Sequence, residues 1–142
     1  MNTRAPRTAL GFDFGEKRIG VAVGQTITCT ASPLTTLPAH HGQPDWTVLG
    51  RLINEWQPDC LVLGLPTTAD GNPHPMAEPI ERFARRLQGR FNKAVEFIDE
   101  RLSSYAAEDL AWRSGKGVDA HAAQQILETW SVSYTHLRAH ET

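Results

Sequence analysis

The stretch Leu10-Gly-Phe-Asp-Phe-Gly-Glu-Lys-Arg-Ile-Gly-Val-Ala-Val-Gly24 decides the fold. Its two apolar runs, Ala9 to Phe14 and Ile19 to Val23, are rich in strand formers and flank the polar Gly15-Glu-Lys-Arg18, which predicts a β-hairpin. Strand alternation puts Ala9, Gly11 and Asp13 on one face and Leu10, Phe12 and Phe14 on the other. An acid therefore ends a line of small residues, on a face that something can approach closely. A carboxylate among apolar neighbours is costly unless a cation or hydrogen-bond donors compensate it. Two readings of Asp13 stay open at this point: a metal ion with a phosphate above it, or a strand-end acid accepting from the turn amides of Gly15 and Glu16.

Downstream of the hairpin, Ile27 to Leu37 suits a third, edge-like strand, with Pro33 in it. The adjacent His40 and His41 fall in a loop beside Gly42 and Pro44, with no acidic or Cys partner nearby, and read as solvated. Asp45 offers an N-cap. Trp46, Leu49, Leu52, Ile53 and Trp56 then repeat at helical spacing until Pro58 stops the pattern. The run Cys60 to Gly64 has the continuous apolar character of a strand buried on both faces of a parallel sheet. A turn-rich loop from Leu65 to Pro75 follows.

A second helix is predicted through Ile80, Phe83, Ala84, Leu87 and Phe91, with Arg82, Arg85, Arg86 and Arg90 sharing much of the opposite face. That basic face fits phosphate contact or a solvated surface beside Glu78 and Glu81. Val95 to Ile98 is the next strand, followed by Asp99-Glu100-Arg101. Ser103 or Ser104 caps a further helix to about Trp112. In the last helix, Ala122, Ala123, Ile126, Leu127 and Trp130 share the helical face of Asp119, which points that acid toward the core. A plain N-cap role accounts for Asp119 equally well.

The apolar pattern stops at Ser131. Residues 1–130 are therefore expected to form a single domain, with 131–142 a non-native or disordered tail. The chain has 142 residues, 40% of them hydrophobic, which suits one core and not two. Its 14 basic and 16 acidic side chains give a net charge of −2, which excludes a uniformly basic nucleic-acid coat while allowing a local basic face. Cys29 and Cys60 form no C-x-x-C pair, so neither a disulfide framework nor a zinc ribbon is expected. No stretch has the length of a membrane span or the layout of a secretory leader, and the expected location is cytoplasmic.

The element order β-β-β-α-β-α-β-α-α implies an α/β fold with a mixed five-stranded sheet, an antiparallel hairpin region joined to parallel crossovers and flanked by helices. Asp13, Glu100 and Asp119 can then converge at one edge, outside the carboxyl ends of the parallel strands. Three such carboxylates suit a hard, oxygen-preferring cation, Mg²⁺ or Mn²⁺.

The motifs at 11–24, Val62-Leu-Gly-Leu-Pro66 with Asp70-Gly71, Phe83-Ala-Arg-Arg-Leu87, Asp99-Glu-Arg-Leu-Ser-Ser104 and Val118-Asp-Ala-His-Ala-Ala123 run in order over about residues 8–130. Jointly they resemble the YqgF/RuvX family of the ribonuclease H-like superfold. Its members are described both as Holliday junction resolvases and as nucleases that trim the 5′ end of precursor 16S ribosomal RNA. The resemblance implies Asp13, Glu100 and Asp119 as catalytic metal ligands and metal-dependent phosphodiester hydrolysis as the reaction. Lys17, Arg18, Lys116, Arg82 and Arg86 are the candidate substrate contacts.

The implied partners are precursor 16S rRNA or a four-way DNA junction and the small ribosomal subunit, with the protein a monomer or homodimer. Two departures from the family pattern stand out: a short segment between Ser104 and Asp119, and Thr68-Ala69 where an Asn-containing pair is common. Two other classes remain open. Asp13-Phe-Gly15 also resembles the phosphate hairpin of actin-like sugar kinases, which need two lobes. A non-catalytic nucleic-acid-binding module is the other.

Overall fold

The computed structural model describes residues 7–25, 30–66, 74–99 and 119–141. Glu100, Lys116, Thr68-Ala69, Cys29 and the helix expected from Ser103 or Ser104 to Trp112 lie outside the described residues. Six strands form one sheet: β1 (Thr8–Asp13), β2 (Arg18–Gln25), β3 (Thr30–His40), β4 (Gln43–Pro44), β5 (Cys60–Leu65) and β6 (Ala94–Asp99). Three helices accompany them among the described residues: α1 (Trp46–Trp56), α2 (Ala77–Phe91) and α3 (Ala120–Glu141).

The strand order is β4-β3-β2-β1-β5-β6. β1 to β4 pair antiparallel in sequence, while β5 runs parallel to both β1 and β6. This is the expected antiparallel region joined to parallel crossovers, with one strand more than the five predicted. The addition is the two-residue β4, in a stretch read as loop. His41 (φ 52°) and Gly42 (φ 79°) both adopt left-handed backbone, which folds the chain back so that Ala39 and His40 pair with Pro44 and Gln43.

Alternation along the strands splits the core into two layers. Leu10, Phe12, Phe14, Ile19, Val21, Leu61 and Leu63 face α1 and α2, where they meet Leu49, Ile53, Ile80, Phe83 and Leu87. The Phe83 ring ties this layer together, lying 5.9 Å from Phe12, 5.2 Å from Phe14 and 5.8 Å from Trp46 between centroids. Ala9, Ala22, Cys60, Val62 and Ile98 face the other way, onto Ala123, Ile126, Leu127 and Trp130 of α3. The close approach expected at the small-residue face is thus made by a helix of the same chain.

Local signals set the helix ends. Asp45 caps α1 by accepting from Thr47 N–H (3.0 Å) and Val48 N–H (3.4 Å), and Gln57 closes it in left-handed backbone just before Pro58. At the other end of the chain, regular backbone does not stop where the apolar pattern does. α3 stays helical through the stretch expected to be a tail, and the Ser131 side chain is buried. Residues 131–142 contain no Gly or Pro to end a helix once begun. Among the described residues no helix is long and apolar enough to cross a membrane.

Candidate active site

Three residues on adjacent strands form one row across the sheet: Thr36 of β3 pairs with Gly20 of β2, which pairs with Asp13 of β1. All three present the α3 side, and the start of α3 stands directly over them. A Cβ added to Gly20 would land on the Asp119 carbonyl group and lie 2.8 Å from the Ala120 nitrogen, so only glycine admits the helix this close.

Asp13 is 3% exposed. Its Oδ2 accepts a hydrogen bond from the Asp119 backbone N–H at 3.3 Å, which places the carboxylate at the positive end of α3. Ala120 N–H donates to Thr36 Oγ1 at 3.1 Å. Asp119 caps its own helix, its Oδ1 accepting from Ala122 N–H at 2.9 Å, while among the described residues no donor meets its Oδ2. The N-cap reading and the functional reading of Asp119 are therefore compatible, since each uses a different oxygen.

Asp13 and Asp119, separated by 106 positions in sequence, are thus brought together. Among the described residues no three His, Cys, Asp or Glu side chains converge. Glu100, the third expected acid, lies outside them. It comes two positions after Ile98, whose side chain is buried against α3 on the same face as Asp13.

The residues present fit a divalent cation. The donors are carboxylate oxygens, one deeply buried and one with an oxygen that no donor meets among the described residues, and two neighbouring like charges are eased by a cation between them. Asp13, Glu100 and Asp119 would hold it.

Lys17 and Arg18 lie at the same end of the sheet, both exposed, Lys17 on the turn between β1 and β2 and Arg18 at the first position of β2. That turn is fastened to the β3–β4 hairpin, with Ala39 N–H donating to the Lys17 carbonyl and Gly42 N–H to the Glu16 carbonyl, both at 2.9 Å. Its two cations therefore project from a fixed backbone. Arg82 and Arg86 are placed differently. They belong to α2, in the layer on the far side of the sheet from Asp13 and Asp119. Arg82 pairs with Glu78 at 3.7 Å, and Arg90 stacks 4.3 Å above the Trp46 ring. Arg85 lines a shallow groove of about 220 Å³ with Glu81, Gln88 and Phe97, again on that far side.

Two residues that shape the site escaped the sequence reading. Gly20 carries a signal, since Gly20, Ala22 and Gly24 repeat the small-residue alternation of Ala9 and Gly11. Thr36 carries none, being one threonine among several in a strand with no chemistry of its own.

The family profile described as "RuvX: Holliday junction resolvase" matches residues 7–131. The chain belongs to the RuvX family. Its relatives include a protein of Saccharophagus degradans that is 48% identical over 131 residues, covering 87% of this chain and 92% of the relative. A protein of Dechloromonas aromatica is 49% identical over 137 residues, covering 92% and 94%. One from Pectobacterium carotovorum is 51% identical over 131 residues, covering 87% and 94%. All three carry the name "Putative pre-16S rRNA nuclease".

Among solved structures, "T. thermophilus RuvC in complex with Holliday junction substrate" aligns with a TM-score of 0.53 at 13% identity, over 94% of this chain and 96% of that one. A second Thermus thermophilus RuvC structure gives 0.51 at 12%. At such low identity the likeness bears on the fold, and it agrees with the ribonuclease H-like architecture expected of the RuvX family.

Proposed function

We propose that this RuvX-family protein is a divalent-cation-dependent nuclease that hydrolyses phosphodiester bonds, with the 5′ end of precursor 16S rRNA as its substrate. The observation that carries the reading is the buried Asp13 carboxylate set beneath Asp119 at a glycine-opened row of the sheet. The relatives' names supply the substrate class.

Asp13, Glu100 and Asp119 would hold Mg²⁺ or Mn²⁺, which when bound would supply an acidified water and charge neutralisation at the leaving 3′ oxygen. In the net reaction water adds to phosphorus as the bond from phosphorus to that oxygen breaks. The chain's own residues do the rest. The Asp119 N–H holds Asp13 in place. Lys17 and Arg18 meet backbone phosphates from their fastened turn, orienting the strand without reading its bases. Residues 1–130 form the working domain in this reading, acting in the cytoplasm on the small ribosomal subunit's precursor, for which one protomer suffices.

The test is to incubate the protein with precursor 16S RNA, single-stranded RNA and a four-way DNA junction in Mg²⁺, Mn²⁺ or Ca²⁺, and to map the products. Cleavage of the precursor in Mg²⁺ or Mn²⁺ is expected. Cleavage of the junction alone would favour the resolvase named in the family description, for which a two-fold dimer is the natural form. Absence of cleavage on all three would leave a binding module.

A further inference from the structure

We infer that Thr36 is a positioning residue for Asp119, an inference that rests on the metal-site reading given above. A helix begins with backbone N–H groups that have no partner inside it, and capping side chains usually come from the residues just before it. At α3 Asp119 supplies that usual cap to the Ala122 N–H, and two further amides are held from outside the helix. The Asp119 and Ala120 amides are taken by two side chains of the sheet, Asp13 at 3.3 Å and Thr36 at 3.1 Å, each a long way off in sequence. Between these two acceptors sits Gly20, against which the Asp119–Ala120 peptide rests.

The start of the helix is therefore seated at three points along one row of three strands. The residue held by that seat is Asp119, whose Oδ1 is already committed to Ala122 N–H. With the backbone fixed on both sides and one oxygen tied down, the direction of Oδ2 is set by the seat. Thr36 is the one member of the row that has a side chain to give and is not itself an expected ligand. Removing its hydroxyl frees the Ala120 end of the seat, and the Asp119 carboxylate turns with the first turn of the helix. A group that orients a ligand in this way affects cation affinity, whereas a simple helix cap affects stability alone.

The test compares wild type with Thr36→Val, Thr36→Ser and Asp119→Asn. Affinity for Mn²⁺ alone is measured by calorimetry or by the free-ion electron paramagnetic resonance signal, well below the melting midpoints. Cleavage is followed at limiting and saturating Mn²⁺. Thr36→Val should weaken Mn²⁺ binding about tenfold or more, the range seen when groups that orient metal ligands are lost. Its kcat should recover at saturating Mn²⁺. Thr36→Ser keeps the oxygen and should bind within about twofold of wild type.

Unchanged affinity in Thr36→Val, with affinity lost in Asp119→Asn, would reduce Thr36 to a helix cap and overturn the inference alone. A folded Thr36→Ser that loses affinity would overturn it too, since the oxygen is retained. Unchanged affinity in Asp119→Asn would overturn the metal-site reading itself.

Discussion

Gly20 lies directly beneath Asp119: a Cβ on the glycine would coincide with the aspartate's carbonyl group. The obstacle is backbone, which cannot swing aside as a side-chain tip can, so Gly20→Ala must lift the start of α3 from the sheet. Overpacking of this kind costs about 1–3 kcal/mol. We expect a lower melting midpoint together with loss of cleavage. A variant with the lower midpoint and undiminished cleavage would show that the helix start can move without harm to the chemistry.

Asp13→Asn keeps the shape of the side chain and an oxygen for the Asp119 N–H, but removes the charge. Loss of groups that merely orient a ligand costs about 10–100-fold, so loss of the ligand charge should lower cleavage by about 100-fold or more. Binding of nucleic acid should persist, because phosphate contacts come from other residues. Cleavage assays paired with filter binding check both halves, and wild-type cleavage by this variant would remove Asp13 from the reaction.

The small-residue face makes a prediction about packing. The Leu127 side chain fills the place that a Cβ on Gly11 would take. Leu127→Ala should cost about 2–5 kcal/mol as a cavity, and Gly11→Ala about 1–3 kcal/mol as a clash. Combined, the new methyl occupies part of the space vacated, so the double variant should be more stable than the sum of the singles by more than about 0.5 kcal/mol. Urea denaturation of the four proteins measures the coupling, and strict additivity would mean that the two sites do not share that space.

Salt dependence of binding distinguishes the two layers of cations. Replacing Lys17 and Arg18 with glutamine should reduce the slope of log K against log salt by about 0.7 for each contact to a single strand. The α2 arginines were expected to contact phosphate as well. Arg82 and Arg86 stand on the opposite layer, so the same change there should leave the slope nearly as it was. A larger effect from the α2 pair would mean that the substrate crosses the far side of the sheet.

Cys60 gives the pH prediction. It is fully buried, and desolvation pushes its thiol from 9.0 up to about 12, with the Glu96 carboxylate adding to the shift and the Arg7 guanidinium opposing it. The folded protein therefore holds this proton more tightly than the unfolded chain. The resulting stability is fully present below pH 9 and is lost as pH rises toward 12. Across that window the thiol contributes a downward slope approaching about 1.4 kcal/mol per pH unit. Cys60→Ala should show a shallower decline in denaturant-measured stability between pH 9 and 11 than wild type. Equal slopes would mean that the thiol ionises in the folded state as readily as in the unfolded one.

The parts of the molecule legible in the sequence were those with local causes. The ends of α1 could be read because cap, apolar period and stop all lie within Asp45 to Pro58. The Ala9-Gly11-Asp13 face could be read because alternation along one strand needs no knowledge of its neighbours. What covers that face could not be read in this way, since the choice between a ligand and Leu127 of α3 depends on how distant segments meet. The same limit applies to Thr36, whose role arises from a helix 84 positions further on. It applies also to the arginines of α2, because amphipathic spacing says that they point away from the sheet but not on which side of the sheet the helix lies. Two-residue β4 was missed because only the second of its two left-handed turn residues is glycine, and His41 stands at the first in place of the Asn or Asp that marks such a turn.

The distance of 106 positions between Asp13 and Asp119 also orders events in time. Every strand of the sheet lies between them or beside Asp13, and the second acid is made only after all of these have been synthesised. Contacts of such long sequence range close slowly, because the chain entropy of the loop must be lost before the contact forms. On the metal-site reading, a chain still being synthesised, or one whose last helix has not yet docked, has Asp13 without Asp119 set over it and is expected to lack activity. If the proposed site is the working one, completion of folding is also the activation step, and a polypeptide born beside ribosomal RNA stays harmless until it is finished.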